Sequence, residues 1–360
     1  MVDVKRYTED AVALLRELIS TPSVSREEKA AADVLTRWMD AHSLSWHREN
    51  NNVWCLPQSF RQELPTVLLN AHIDTVRPVS SWLRDPFCPE MEDGILYGLG
   101  SNDCGGGLVS LLQVFRVFEE RGAADKPSLS SAYNLVFLAS AEEEVSGQNG
   151  IVKALPLLPK IDVAVVGEPT GMQPAVAEKG LMVLDMTAHG KSGHAARGEG
   201  VNAIYEMLDD LLWIRDYRFE RVSPFLGATQ MQATVVNAGT QHNVVPDECR
   251  AIIDVRTNEC YTNEEVFQLI SSHVRSEVKA RSFRLSSSHI DVGHPLVQKC
   301  VEMGKQPFGS PTLSDQALMP FPSFKMGPGD SARSHSADEY IRVKEISDAI
   351  ETYIRLFQQT

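Results

Sequence analysis

No stretch of the 360-residue chain stays apolar for the roughly 18 residues that a membrane-spanning helix needs. The first eight residues, Met1–Thr8, have no apolar core of signal-peptide length, so the expectation is a cytoplasmic protein without membrane contact. There is no Lys/Arg-rich run, and 34 basic against 48 acidic residues leave a net charge of -14, which repels a phosphate backbone and argues against a nucleic-acid partner. None of the six cysteines (Cys55, Cys88, Cys104, Cys249, Cys260, Cys300) stands in Cys-x-x-Cys spacing, which speaks against a zinc ribbon or redox motif and for reduced thiols. Internal repeats and low-complexity tracts are also missing. The hydrophobic share of 43% with 23% charged residues is that of an ordinary globular chain, and at roughly 150 residues per domain the length suggests two domains.

Apolar periodicity predicts a helix opening at Thr8 and running through Leu14, Leu15 and Leu18. A second helix, ending near His42, has Ser25 and Glu28 ahead of it in capping-box spacing. Short apolar runs at Thr66–Ala71, Asn134–Ala141 and Ile161–Gly167 alternate with helical stretches such as Leu108–Glu120, the pattern of an α/β sheet covered by helices. From Leu181 the order becomes strand (Leu181–Ala188), helix (Val201–Trp213), strand (Gln230–Asn237), strand (Cys249–Arg256), helix (Asn263–Ala280), strand (Ser282–Ser287). This β-α-β-β-α-β sequence is a ferredoxin-like unit that can close on itself, so an inserted domain over 181–290 is expected inside a larger domain of 1–180 and 291–360. The larger domain resumes with a helix Pro295–Met303, a strand Phe321–Met326 and a final helix Val343–Phe357.

Ligand sites of open α/β sheets gather at the carboxyl ends of strands. Here one apolar run ends in His72-Ile73-Asp74, another in Glu142-Glu143-Glu144, and a third in Glu168. Asp103 lies in the glycine-rich stretch Gly98–Gly107, and His335 in the turn-rich segment Gly327–Glu339. Each feature alone has an ordinary explanation: a surface histidine, a solvated helix start, a turn. The glycine-rich loop lacks the Gly-x-x-x-x-Gly-Lys-Ser/Thr pattern, and Asp103 would repel a phosphate. Together, five acidic or imidazole positions on separate strand ends form a nitrogen and oxygen ligand set suited to zinc or a similar divalent ion.

These motifs, with Gly-Glu-Pro-Thr, Gly-Lys-Ser-Gly-His, Asn-Val-Val-Pro-Asp and Gly-Pro-Gly-Asp-Ser, resemble the zinc-dependent aminoacylase and carboxypeptidase-type metallohydrolases, near acetylornithine deacetylase and succinyl-diaminopimelate desuccinylase. The resemblance spans essentially the whole chain. It implies an α/β zinc-hydrolase domain carrying an inserted ferredoxin-like lid and dimerisation domain, and a homodimer. It also implies two Zn2+ ions, with Co2+ or Mn2+ as substitutes: His72 and Glu168 on one metal, Glu144 and His335 on the other, Asp103 bridging. Asp74 resembles the carboxylate that orients a ligand imidazole, Glu143 the general base, and His194 an oxyanion donor brought in by lid closure or by a partner subunit. A small anionic N-acyl amino acid needs local cations, for which Arg256, Asn243 and Lys179 are candidates; Arg333 faces substrate or pairs with an acid.

The chain departs from the family where Glu142 replaces a common Asp, where Cys104 replaces Met or Lys after the bridging Asp, and where Thr312–Asp315 only partly matches a Gly-Thr-Ser-Asp turn. Cys104 is expected to point away from the metals, and the peptide before it to be cis. The leading expectation is a deacylase for N-acetylornithine, or its N-succinyl or N-acetylcitrulline counterpart, in arginine biosynthesis. The alternatives are a succinyl-diaminopimelate desuccinylase, a dipeptidase or aminopeptidase of the same fold, and a non-catalytic binding relative.

Overall fold

A computed structural model of the chain describes residues 2–122 and 131–359. It divides into two compact units, one of Met1–Val176, Ile290–Phe308 and Met319–Thr360, the other of Ala177–His289 and Gly309–Leu318. The larger domain was expected to hold all of 291–360, but Gly309–Leu318 belongs to the smaller unit. The cause is Glu178, a fully buried carboxylate that accepts both the main-chain N–H (3.1 Å) and the hydroxyl (2.7 Å) of Ser314.

In the larger unit, Thr66–His72 is the centre of a parallel set. It pairs with Asn134–Ser140 on one side and Val163–Val166 on the other, and Ser323–Lys325 joins beyond Val163–Val166, also parallel. Every residue of Thr66–His72 and of Asn134–Ser140 is buried, as expected of strands covered on both faces. All four strands therefore present their carboxyl ends along one edge. Helices Val4–Ile19, Gly106–Gly122 and Val343–Phe357 pack on one another. The last helix buries Ile346, Ala349, Ile350, Tyr353, Ile354 and Phe357, the 3-4 spacing of an amphipathic stripe. Among the described residues no helix is long and apolar enough to cross a membrane.

The first helix begins at Val4 rather than Thr8, because the Asp3 side chain accepts the N–H of Arg6. The expected capping box is absent. Lys29–Ala41 starts after Glu28 without a side-chain cap; the Ser25 hydroxyl turns to distant Asp74, and the Glu28 carboxylate accepts the N–H of Arg26 and the side-chain amide of Asn51 instead of the Ser25 N–H.

The smaller unit holds a four-stranded antiparallel sheet in the order Gln230–Ala238, Glu248–Arg256, Met182–His189, Glu277–Ala280, with helices Ala203–Asp216 and Asn263–His273. Numbered along the chain this is 4-1-3-2 read from the far edge, the ferredoxin-like arrangement. Met182–His189 alternates between buried and half-buried positions up to exposed His189, and Leu184, Met186, Ile253, Val255, Met207 and Ile270 share its core. The second helix ends at His273, not Ala280, and the fourth strand is Glu277–Ala280, not Ser282–Ser287. Buried Asp210 accepts the main-chain N–H groups of Arg275 (3.0 Å) and Ser276 (2.9 Å), which draws the chain out of the helix early.

Candidate metal centre

The residues at the parallel edge converge. Beyond Asn70, His72 closes its strand with a buried side chain whose Nδ1 donates to the Asp74 main-chain oxygen at 2.9 Å. That bond fixes a proton on Nδ1 and turns Nε2 toward Asp103 Oδ1 at 3.3 Å and Glu168 Oε1 at 3.5 Å, carboxylates that accept from it in the metal-free site and, against the effect of burial, hold the imidazole pKa well above its ordinary value. Across the cluster, His335 Nε2 lies 2.9 Å from Glu144 Oε2 and 3.6 Å from Asp103 Oδ2. Asp103 thus turns one oxygen to each histidine. His72, Glu143 and Glu144 form one group with ligand atoms within 4.8 Å of one another, and Asp103, Glu144 and His335 form another.

Glycines make the convergence geometrically available. A Cβ on Gly107 would fall 1.8 Å from the Gly167 oxygen, so the helix start that follows Asp103 can lie against the strand end that carries Glu168 only without a side chain there. The Asp103–Cys104 peptide is cis. Cys104 does not point away from the site as expected. Its buried Sγ accepts the His72 N–H at 3.2 Å, and it stands within 4.8 Å of ligand atoms of His72 and Glu168. Burial pushes the thiol pKa far up, which keeps it neutral and a poor ligand beside imidazole and carboxylate.

Two buried carboxylates support the cluster from behind. Asp74 accepts the main-chain N–H of Glu143 (3.0 Å, Oδ1) and of Glu144 (3.1 Å, Oδ2) and the Ser25 hydroxyl (2.7 Å, Oδ2), besides standing 3.6 Å from His72 Nδ1. Glu339 accepts the N–H groups of Gly100 (2.9 Å), Asn102 (2.8 Å) and Asp103 (2.8 Å), which fixes the loop carrying Asp103. Sequence reasoning missed Ser25 and Glu339; the only available signal for Glu339 was an acid close behind His335. Glu142 is not in the cluster. Its carboxylate takes the main-chain and side-chain amides of Asn149 at 3.2 and 3.1 Å.

The electrostatics describe a site short of positive charge. Burial, and then the charge of Asp103, push the Glu168 carboxyl up to about 8. The hydrogen bond that His335 donates to Glu144 pushes its imidazole up to about 9, against the opposing effect of burial. Protons hold together what divalent cations would hold better, and a set of imidazole Nε2 and carboxylate oxygens is what zinc and similar ions accept. The residues present therefore fit a pair of divalent metals.

The other candidates lie in the smaller unit, in two separate places. His194 is exposed, pairs with Val244 in a two-residue ladder, and Ala195 donates its N–H to the Asn243 oxygen at 3.1 Å. Arg256 is at the other end of the Glu248–Arg256 strand, held by Asp254 through two bonds of 2.8 and 3.0 Å. Lys179 donates to Gln230, the residue paired with Arg256; burial and then the Arg256 charge lower its pKa. The nine-residue strand has eight steps of about 3.4 Å, so its two ends lie roughly 27 Å apart. Arg333, for its part, pairs with Glu345 at 2.8 and 3.0 Å and stacks over Tyr340, so it is committed to the fold.

Parallel strands in a mixed α/β sheet whose ends gather two histidines and several carboxylates around a shared aspartate build a site for divalent metals, the equipment of a metal-dependent hydrolase. Residues 68–359 match the family model described as Peptidase family M20/M25/M40, and the chain belongs to that family. It is 29% identical to the acetylornithine deacetylase of Shigella sonnei over 96% of both chains. In fold it resembles aminopeptidase PepT of Bacillus cereus (TM-score 0.75, 18% identity, covering 97% and 98% of the two chains). It also resembles the YXEP protein of Bacillus subtilis, a dinuclear metal-binding M20 peptidase (TM-score 0.73, 17% identity, 98% of each chain).

Proposed function

We propose that the protein removes a short acyl group from an N-acyl amino acid, with N-acetylornithine or its N-succinyl or N-acetylcitrulline counterpart as substrate, in the cytoplasmic synthesis of arginine. The single observation behind the metal assignment is Asp103, whose two oxygens face two different histidines. In this reading His72 and Glu168 hold one metal, Glu144 and His335 the other, and Asp103 both; zinc is the proposed ion. Bound there, divalent metals would polarise the acyl carbonyl and lower the pKa of water to about 7.

The chain's own residues do the rest. Glu143, whose main chain is fixed by Asp74, accepts the proton of the attacking water and returns it to the leaving amine nitrogen. Asp74 keeps His72 in the tautomer with Nε2 free. Arg256 and Lys179 offer cations for the substrate carboxylate, while His194 and Asn243 offer donors for the developing oxyanion. A small substrate cannot span roughly 27 Å of strand, so one chain cannot bring both groups to it. We assign His194 and Asn243 to a second copy of the chain and read the inserted domain as the lid and dimerisation element. Support comes from Gln230–Ala238, a largely exposed strand at one edge of its sheet, and from the exposed Ile204, Tyr205, Leu208 and Leu212 of Ala203–Asp216.

The similarity over nearly full length to an acetylornithine deacetylase favours this reading, and the fold-level likeness to an aminopeptidase favours a peptidase as the second. Metal-loaded protein should be assayed on N-acetylornithine, N-succinylornithine, N-acetylcitrulline, succinyl-diaminopimelate and a few dipeptides. Preference for an acyl-ornithine or acyl-citrulline is the expected outcome; turnover of dipeptides alone would move the protein to the peptidase reading.

A further inference from the structure

The family match begins at residue 68, yet two side chains from well before it reach the catalytic turn. The loop that leaves the first helix runs beside the residues following His72: Val24 bridges to Thr75, Ser25 donates its N–H to the Thr75 oxygen at 3.1 Å, and Thr75 returns its N–H to Ser23 at 2.9 Å. This anchoring fixes Ser25 so that its hydroxyl donates to Asp74 Oδ2 at 2.7 Å, although the two residues are 49 apart in sequence. Three positions on, fully buried Glu28 accepts the N–H of Glu142 at 3.3 Å and the side-chain amide of Asn51 at 2.9 Å. The turn Glu142–Glu144 is thus gripped at its first residue by Glu28 and at its next two by Asp74, and Asp74 is itself held by Ser25.

We infer that Ser25 is a positioning residue of the hydrolytic reaction, acting through Asp74 on both the His72 imidazole and the Glu143–Glu144 main chain, with Glu28 bracing the same turn. The chemical reason is the number of groups that Asp74 must serve. Its carboxylate takes two peptide N–H groups and stands 3.6 Å from the His72 Nδ1 that its main-chain oxygen accepts, and its Oδ2 is shared between Glu144 and Ser25. Without the hydroxyl, only the Glu144 N–H would orient that oxygen. Groups that hold a metal ligand, as Asp74 holds His72 and the Glu144 main chain, typically affect metal affinity or activity by tenfold to a hundredfold, and Ser25, one bond further out, belongs at the lower end of that range.

The inference rests on the reading of His72 as a ligand and Glu143 as the base, and the test separates the two. Ser25→Ala, Ser25→Thr, Asp74→Ala and the double variant Ser25→Ala/Asp74→Ala are compared as metal-loaded enzyme for kcat and KM, and after chelation for zinc affinity by competition with a chelating dye. Ser25→Ala should lose on the order of tenfold in kcat and in zinc affinity with KM within about twofold of the parent. Ser25→Thr, which keeps the hydroxyl, should stay within about threefold, and the double variant should be no worse than Asp74→Ala alone. If Ser25→Ala matches the parent, if Ser25→Thr falls as far as Ser25→Ala, or if the Ser25→Ala loss adds in full to that of Asp74→Ala, Ser25 does not act through Asp74. A silent Asp74→Ala would remove the site reading along with the inference.

Discussion

Replacing Glu339 by glutamine should change how the metal-free protein responds to pH. Glu339 is buried, and its carboxyl is pushed from 4.5 up to about 8, chiefly by burial; the Asp103 charge adds to this and the three main-chain donors oppose it. Between these values the folded protein keeps a proton that the unfolded chain has released. Rising pH therefore favours unfolding, and the contribution of this group is fully present below about 4.5 and lost as pH passes about 8. At about 1.36 kcal/mol per unit, the interval from 4.5 to about 8 corresponds to on the order of 5 kcal/mol. Glutamine has the same shape and does not titrate; it keeps an acceptor for Asn102 and Asp103 but sets an amide against the Gly100 N–H, at a cost of about 1 to 3 kcal/mol. Urea unfolding of chelator-treated protein, followed by tryptophan fluorescence from pH 5 to 8.5, should find the parent the more stable at the acid end and Glu339→Gln gaining on it, then passing it, as pH rises. Parallel stability profiles for the two proteins would refute the reasoning.

Glu143→Gln should retain two metals per chain by elemental analysis while kcat falls by a factor on the order of 10² to 10⁴; loss of metal instead would mean that the base and a ligand have been exchanged. His335, pushed up to about 9, Glu168, pushed up to about 8, and His72, raised well above the ordinary imidazole value, all hold an extra proton at neutral pH, so zinc uptake must expel about three protons and tighten as pH rises. Calorimetry in buffers of different ionisation enthalpy counts them, and a count near zero would contradict the assignment. Cys104→Ala should leave zinc stoichiometry unchanged, since burial keeps the thiol neutral; a metal lost per chain would make it a ligand. Finally, inactive Glu143→Gln and His194→Ala proteins, mixed and allowed to exchange subunits, should recover roughly a quarter of parental activity, because half the dimers would carry one whole site of two. No recovery despite exchange, monitored by light scattering and labelled subunits, would place His194 in its own chain's site.

What could be read from the sequence and what could not divide along a physical line. His72, Glu143, Glu144 and Glu168 were legible because each directly ends an apolar run whose burial fixes a parallel strand, and such strands deliver their ends to one edge regardless of the details between them. Asp103 and His335 stood out only as polar residues in glycine- and turn-rich segments, and their bridging and ligand roles needed the family resemblance, since such segments carry no period that aims a side chain. Ser25 and Glu339 were invisible for a different reason. Their partners, Asp74 and the Gly100–Asp103 main chain, are 49 and more than 230 residues away, and local pattern assigned Ser25 a cap that the fold does not use. The helix that ends at His273 fails in the same way, because the stop is set by Asp210, 65 residues earlier. In each case a buried carboxylate captures donors from a distant segment, main-chain N–H groups or the Ser25 hydroxyl, a bond that local propensity cannot encode. Two of those carboxylates, Asp74 and Glu339, bind the same elements that carry Glu143 and Asp103. The groups that bind and react are written at strand ends, while the precision with which they are held comes from contacts that exist only once the chain has folded.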